Sequence, residues 1–172
     1  MKKITLILFV ALVSNVIYAQ QGDFSAGVKG SYLTNYKNLL YGLDLSYHLS
    51  DPLEVSLSYM MNPSVTIKDE DGFSIFDAHY GLYSANLDLR YYLLHQRTWA
   101  TGPILGGQYL YRKDKIDDYA NDKEFGFNIG WRLRISLTDN LNINGSWRYT
   151  NFKELPDYHA FSIGLCYTTN LF

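Results

Sequence analysis

The sequence is short of the residues that usually announce chemistry. It holds one cysteine, Cys166, and four histidines in 172 residues. A single thiol excludes an intrachain disulfide, and so few histidines leave no Cys/His set at zinc-site spacing, so no structural metal and no cofactor are expected. Charge is scarce too, at 19% of residues against roughly 25% in an ordinary soluble domain. Lys and Arg number 15 and Asp and Glu 17, a net charge of -2 with no basic block. The electrostatic footprint of a nucleic-acid binder is missing. Beyond the N-terminus no apolar run comes near the length of a membrane-spanning helix. What the chain does have is aromatic side chains at 16%, including 16 tyrosines, and 13 glycines.

The N-terminus reads as an export signal. Met1-Lys2-Lys3 is a basic start, Ile4 to Val13 is apolar apart from Thr5, and Ala19 offers a small residue for cleavage before Gln20. Ser14 and Asn15 cut the run too short for an anchor helix. The division expected is a signal peptide over residues 1–19 and one barrel domain over residues 20–172.

From there the apolar period is two, the mark of strands with one apolar and one polar face. The clearest run sets Phe125, Phe127, Ile129, Trp131, Leu133 and Ile135 against Gly126, Asn128, Gly130, Arg132, Arg134 and Ser136. Similar runs start at Phe24, Leu39, Leu53, Tyr83, Trp99, Leu141 and Phe161, eight in all. In the run from Trp99, Pro103 cannot donate to a ladder, which predicts a bulge or a late start there. Connections alternate between brief (50–52, 94–98, 138–140) and long (62–82, 112–123, 151–157), with 35–38 the exception. Tight periplasmic turns and long outer loops are the habit of outer-membrane barrels, and an even strand count puts both termini on the periplasmic side.

Alternation also fits a soluble barrel with an apolar interior. Three features favour an apolar exterior. The runs match the roughly 9 to 11 residues a tilted strand needs to cross the hydrocarbon. Small residues (Gly, Ser, Asn) dominate the polar face, as a crowded eight-stranded bore requires. Aromatics gather at strand ends: Tyr32, Tyr41, Tyr59, Tyr83, Tyr109 and Tyr149 on one rim, Tyr47, Tyr91, Trp99 and Tyr167 on the other. Such girdles sit at headgroup depth. The fold class expected is all-β, a transmembrane eight-stranded antiparallel up-and-down barrel.

On these strands the sequence resembles the small eight-stranded outer-membrane proteins of the OmpA/OmpX type over the whole mature chain. That family commonly ends on an aromatic in register with the lipid-facing residues. Here Phe172 falls on the polar parity, while Leu171 keeps the register of Phe161, Ile163, Leu165 and Tyr167. The resemblance implies residence in the cell outer membrane, contact with its lipid and lipopolysaccharide, and insertion by the barrel assembly machinery. A structural or surface-interaction role follows, with an extracellular ligand taken by loops 62–82 and 112–123. A narrow passive channel is the alternative, and a lipid-modifying enzyme the third reading.

Parity sends Lys29, Asp44, His48, Glu54, Asp88, Arg90, Arg132, Arg134 and Arg148 into the lumen, with Glu124 as a further acid. Buried charges survive only when paired, so a polar network is expected. Turn geometry sets His48 against Glu54 and, if loop 35–38 closes symmetrically, Lys29 against Asp44. In the channel reading Arg132, Arg134 and Arg148 would line a weakly anion-selective path. No enzyme is expected: the nearest His/Ser pair, His159 and Ser162, falls on opposite faces of a strand, wrong for a base and its nucleophile. Cys166 faces inward as a small filler. The acidic stretches 69–72 and 114–122 lack the oxygen-ligand spacing of an EF-hand.

Overall fold

The structure, a computed structural model, describes residues 22–67, 78–114 and 122–170. Every regular element among them is a strand: β1 (Asp23–Leu33), β2 (Asn38–Ser50), β3 (Leu53–Ile67), β4 (Ala78–Tyr91), β5 (Leu94–His95), β6 (Trp99–Asp114), β7 (Asp122–Ser136), β8 (Leu141–Asn151) and β9 (Tyr158–Asn170). Neighbours in sequence pair antiparallel, β9 returns to β1, and β4 pairs with β6. The two-residue β5 prolongs the stave that β4 begins, so the barrel has eight staves and closes on itself. Closure gives backbone N–H and C=O groups internal partners, the condition for crossing lipid.

The faces fall as alternation predicts, apolar outward. Phe127 is 72% exposed, Ile163 67% and Leu43 58%, whereas Arg132 is 3% and Asp88 1% exposed. The opposite arrangement, a greasy bore in a charged wall, is excluded. The same outward row crosses five strands through the pairs Leu133↔Gly145, Gly145↔Ile163, Ile163↔Gly30 and Gly30↔Tyr41. Inward, bare backbone lets the staves curve tightly. A Cβ on Gly42 would lie 1.9 Å from the Tyr59 carbonyl oxygen, and one on Gly106 2.4 Å from that of Leu87.

Connections differ from expectation in three places. β3 and β4 pair as far as Ile67↔Ala78, and β6 and β7 as far as Arg112↔Asp122, so the long connections are shorter than 62–82 and 112–123. β6 runs through Pro103 unbroken against β7. The irregularity lies across from it: the ladder steps from Arg90↔Ile104 to Leu94↔Thr101, one residue more on the β4–β5 side, where proline offers no donor. Finally, the β1–β2 turn is Thr34 to Lys37, tightened by the left-handed Lys37 (φ 47°), with Leu33 opposite Asn38.

Candidate functional site

The bore is filled in layers, and the register says why. On the turn side, His48 on β2 faces Glu54 on β3, and Glu54 faces Arg90 on β4. Glu54 is fully buried and accepts hydrogen bonds from Arg90 Nη1 at 2.5 Å, the Tyr92 hydroxyl at 2.7 Å, and Arg132. Arg90 also donates through Nη2 to Asp44 at 2.9 Å. Asp88 accepts from Arg148 and from Asn128 Nδ2 at 3.1 Å. Arg134 reaches His48 Nε2 at 2.7 Å and lies over the Tyr92 ring, 5.0 Å from its centroid. Five strands supply this cluster, and every carboxylate in it meets a guanidinium.

A neutral layer lies next along the bore. Gln108 Nε2 donates to Ser84 Oγ at 2.5 Å, Thr150 Oγ1 to Gln108 Oε1 at 3.0 Å, and Asn86 Nδ2 to Ser84 Oγ at 3.1 Å. The third layer, at the loop end, is apolar: Leu33, Leu40, Met60, Tyr80, Leu82, Leu110, Phe152, Tyr158 and Ala160 form one buried cluster against which Tyr36 and Leu155 pack. Segment 152–157 folds over it. Glu124 accepts from the backbone N–H groups of Lys153 (2.7 Å), Glu154 (2.7 Å) and Leu155 (2.6 Å), while Asp157 accepts from the Tyr149 hydroxyl at 2.6 Å and the Phe152 N–H at 2.9 Å.

Eight of the nine inward residues named from parity meet in the charged cluster. The ninth, Lys29, lines a small cavity with Asp44, Arg90 and Arg132, but its Nζ has no hydrogen-bond partner. Two expectations are corrected. Lys29 stands opposite Gly42 and Asp44 opposite Gly27, because the four-residue β1–β2 turn sits one residue earlier than 35–38, which shifts the register by two. Glu124 is not in the network; it is partly exposed at the loop end, holding backbone instead. Tyr32, Tyr41, Tyr59, Tyr91, Tyr109 and Tyr167 stand exposed on the outer wall, and Tyr47, Tyr83, Trp99 and Tyr149 are half-buried there. His159 is exposed and stacks on Trp147 at 5.8 Å, while Ser162 is buried and bonded to Ser31 at 2.8 Å, so the pair is indeed split across the wall. Cys166 is buried beside Asn144, whose Nδ2 lies 2.9 Å from Sγ. Among the described residues no group of three His, Cys, Asp or Glu side chains could hold a metal ion. Residues 1–19, read above as a leader, the acidic stretch 69–72, and the terminal Leu171 and Phe172 lie outside the described residues.

The apolar layer escaped the parity reading. Its signal was present as doublets that break the alternation at strand ends: Tyr32-Leu33, Leu39-Leu40, Met60-Met61, Leu82-Tyr83 and Leu110-Tyr111. In each pair one residue faces lipid and the other the bore.

Solved barrels share this architecture. The N-terminal barrel domain of Pseudomonas aeruginosa OprF superposes with a TM-score of 0.63 at 18% identity, covering 87% of this chain and 98% of that one. A major outer-membrane protein of Thermus thermophilus gives 0.67 at 14% identity over 87% and 100%. Ail, the attachment invasion locus protein of Yersinia pestis, gives 0.54 at 14% identity over 86% and 97%. At these identities the likeness is one of fold. No curated protein matches the sequence. The family model for the outer membrane protein beta-barrel domain matches residues 5–168, and with the lipid-facing exterior and closed wall above, the chain belongs to that family of outer-membrane β-barrels.

Proposed function

We propose that the protein acts as a closed barrel that presents its loop face to the cell exterior, in a structural or surface-interaction role without catalysis. The observation carrying this reading is that the bore is stopped twice, by the salt-bridged layer on the turn side and the apolar cluster on the loop side. The Arg132, Arg134 and Arg148 guanidiniums that a channel would need are engaged by Glu54, His48 and Asp88. An ion moving through would have to break buried pairs and then cross a dry plug. Export follows a cleaved leader over residues 1–19, insertion uses the barrel assembly machinery, and the tyrosine girdles meet lipid and lipopolysaccharide. The connections within 62–82 and 112–123 carry recognition of an extracellular ligand, since a rigid barrel leaves loops free to vary.

Planar-bilayer recording of the refolded protein tests the reading. The expected trace is that of the bare membrane. Unitary steps of conductance, with a size or anion preference altered by Arg148→Ala, would replace it with the channel reading.

A further inference from the structure

The basic and acidic groups sealed in the bore are unequal in number. Among the described residues the buried cations are Lys29, Arg90, Arg132 and Arg148, and the buried carboxylates are Asp44, Glu54 and Asp88. At the turn-side rim Arg134 adds a positive group and Asp23 a negative one, leaving the difference inside the bore as it stands. The partners are unevenly distributed as well. Each buried arginine lies within 4.0 Å of a carboxylate, whereas Lys29 has none so placed and its Nζ makes no hydrogen bond. Lys29 is 8% exposed, on β1 in the middle of the wall, between Gly42 and Gly164 of the flanking strands.

Beside it is a void. It is lined by Lys29, Asp44, Arg90, Arg132, Asn144 and Ser146 among others, with about 10 Å³ of room for the centre of a water-sized particle. That is about the space of one water or one monatomic ion. A phosphate or sulfate is too large. A water could accept a hydrogen bond from the ammonium but would leave the surplus charge in place, and an unpaired charge out of water is the costly case. The one carboxylate on the cavity, Asp44, is already taken by Arg90 at 2.9 Å.

We infer that the lumen holds one halide-sized monovalent anion, chloride under ordinary conditions, in the cavity beside Lys29. Lys29 Nζ is its principal donor, Ser146 lines the same cavity, and Arg90 and Arg132 supply the positive field. The fourth buried cation then has its counter-charge. The site exists only in the folded barrel, so binding of the ion is linked to the fold. The site is separate from any conduction path, so it stands or falls independently of the recordings proposed above.

The test uses the full chain refolded from urea into detergent in sodium bromide, and in parallel in sodium gluconate of equal ionic strength. Crystals grown from bromide are expected to show one anomalous peak inside the wall, in contact with Lys29 Nζ, that disappears in Lys29→Met. In solution the thermal midpoint of wild type, read by heat-modifiable gel mobility, should be on the order of 5 °C higher in bromide than in gluconate. Lys29→Met should have the same midpoint in both salts; if it fails to fold, Lys29→Gln serves instead. An ordered water in the cavity of bromide crystals, or a Lys29 side chain turned onto Asp44 there, would overturn the proposal. So would a salt difference that survives in the variant.

Discussion

The two ends of the bore solve the same packing problem in opposite ways. Both lie inside one continuous wall, and parity selects the residues of both. At the loop end the inward positions are Leu33, Leu40, Met60, Leu82 and Leu110, which need only shape. At the turn end they are Asp44, Glu54, Asp88, Arg90, Arg132 and Arg148, which need partners as well as shape. The difference shows that a membrane barrel's interior is not bound to be polar. Its exterior is fixed by lipid, while its interior is free to be any filling whose polar groups are satisfied. An apolar plug loses its packing locally when one side chain is cut. An ionic plug fails collectively, because Glu54 and Asp88 each serve more than one base.

That contrast can be broken first at Glu54. Glu54→Ala removes the acceptor shared by Arg90, Arg132 and Tyr92 and leaves two guanidiniums without it in a closed space. A loss of about 3 to 5 kcal/mol is expected in urea unfolding from lipid vesicles, as for any buried pair robbed of one member. Replacing the acid and one base together, as Glu54→Leu with Arg132→Met, should cost less than Glu54→Ala alone, since no charge is then stranded by the change at these two sites. A double variant worse than the single would mean that the ionic layer stabilises through shape and not through pairing.

The matching cut at the other end is Leu82→Ala, which opens a cavity in the apolar layer where Leu82 is fully buried. Its cost should be about 2 to 4 kcal/mol, the range for core leucines. It should add to that of Glu54→Ala without coupling, because the neutral Ser84, Asn86 and Gln108 layer stands between the two. Strong coupling would show the bore behaving as one unit. Salt sharpens the comparison further. Because these pairs are enclosed, raising the salt to 1 M should change neither variant's loss of stability by more than about 0.5 kcal/mol.

How much of this was legible in the sequence follows from which forces leave a periodic trace. The wall was fully legible: lipid demands an apolar residue at every second position, as from Phe125 to Ile135. The opposition of His48 and Glu54 was legible too: a three-residue 50–52 turn predicts it, and the observed turn at Asp51-Pro52, with a bulge between His48 and Ser50, keeps the same pairing. The β1–β2 register was not, since it depends on Lys37 taking a left-handed conformation that the residue type does not announce. The apolar plug was visible only as broken alternation. An inward leucine and an outward leucine look alike in a string of letters, and only the closed wall separates Leu40 from Leu39. Glu124 shared the parity of the lumen acids, but the backbone it holds, at 153–155, is a contact across the top of the barrel that no local pattern encodes.

The smallest effect lies where the loop side meets water, and it tests whether the plug depends on its cover. Asp157 sits in the segment between β8 and β9, where the Tyr149 hydroxyl, the Phe152 N–H and the Asn151 side chain all donate to it. These donors, the tyrosine first, hold its carboxyl below the ordinary aspartate range. A depressed carboxyl contributes order that is fully present above its unfolded value, about 3.9, and is lost as pH falls through the lower folded value. Segment 152–157 should therefore be equally ordered at pH 7 and pH 5 and loosen only under stronger acid. The measurement is hydrogen exchange of the Phe152 amide, followed by mass spectrometry with its strong intrinsic pH dependence corrected. Asp157→Asn should raise the exchange rate at pH 7 by a few-fold and remove the acid transition, while the charged layer at the far end, read through the cost of Glu54→Ala, stays unchanged. Loosening in Asp157→Asn that reached the ionic end would mean that the cover, and not the filling, holds the barrel's two halves together.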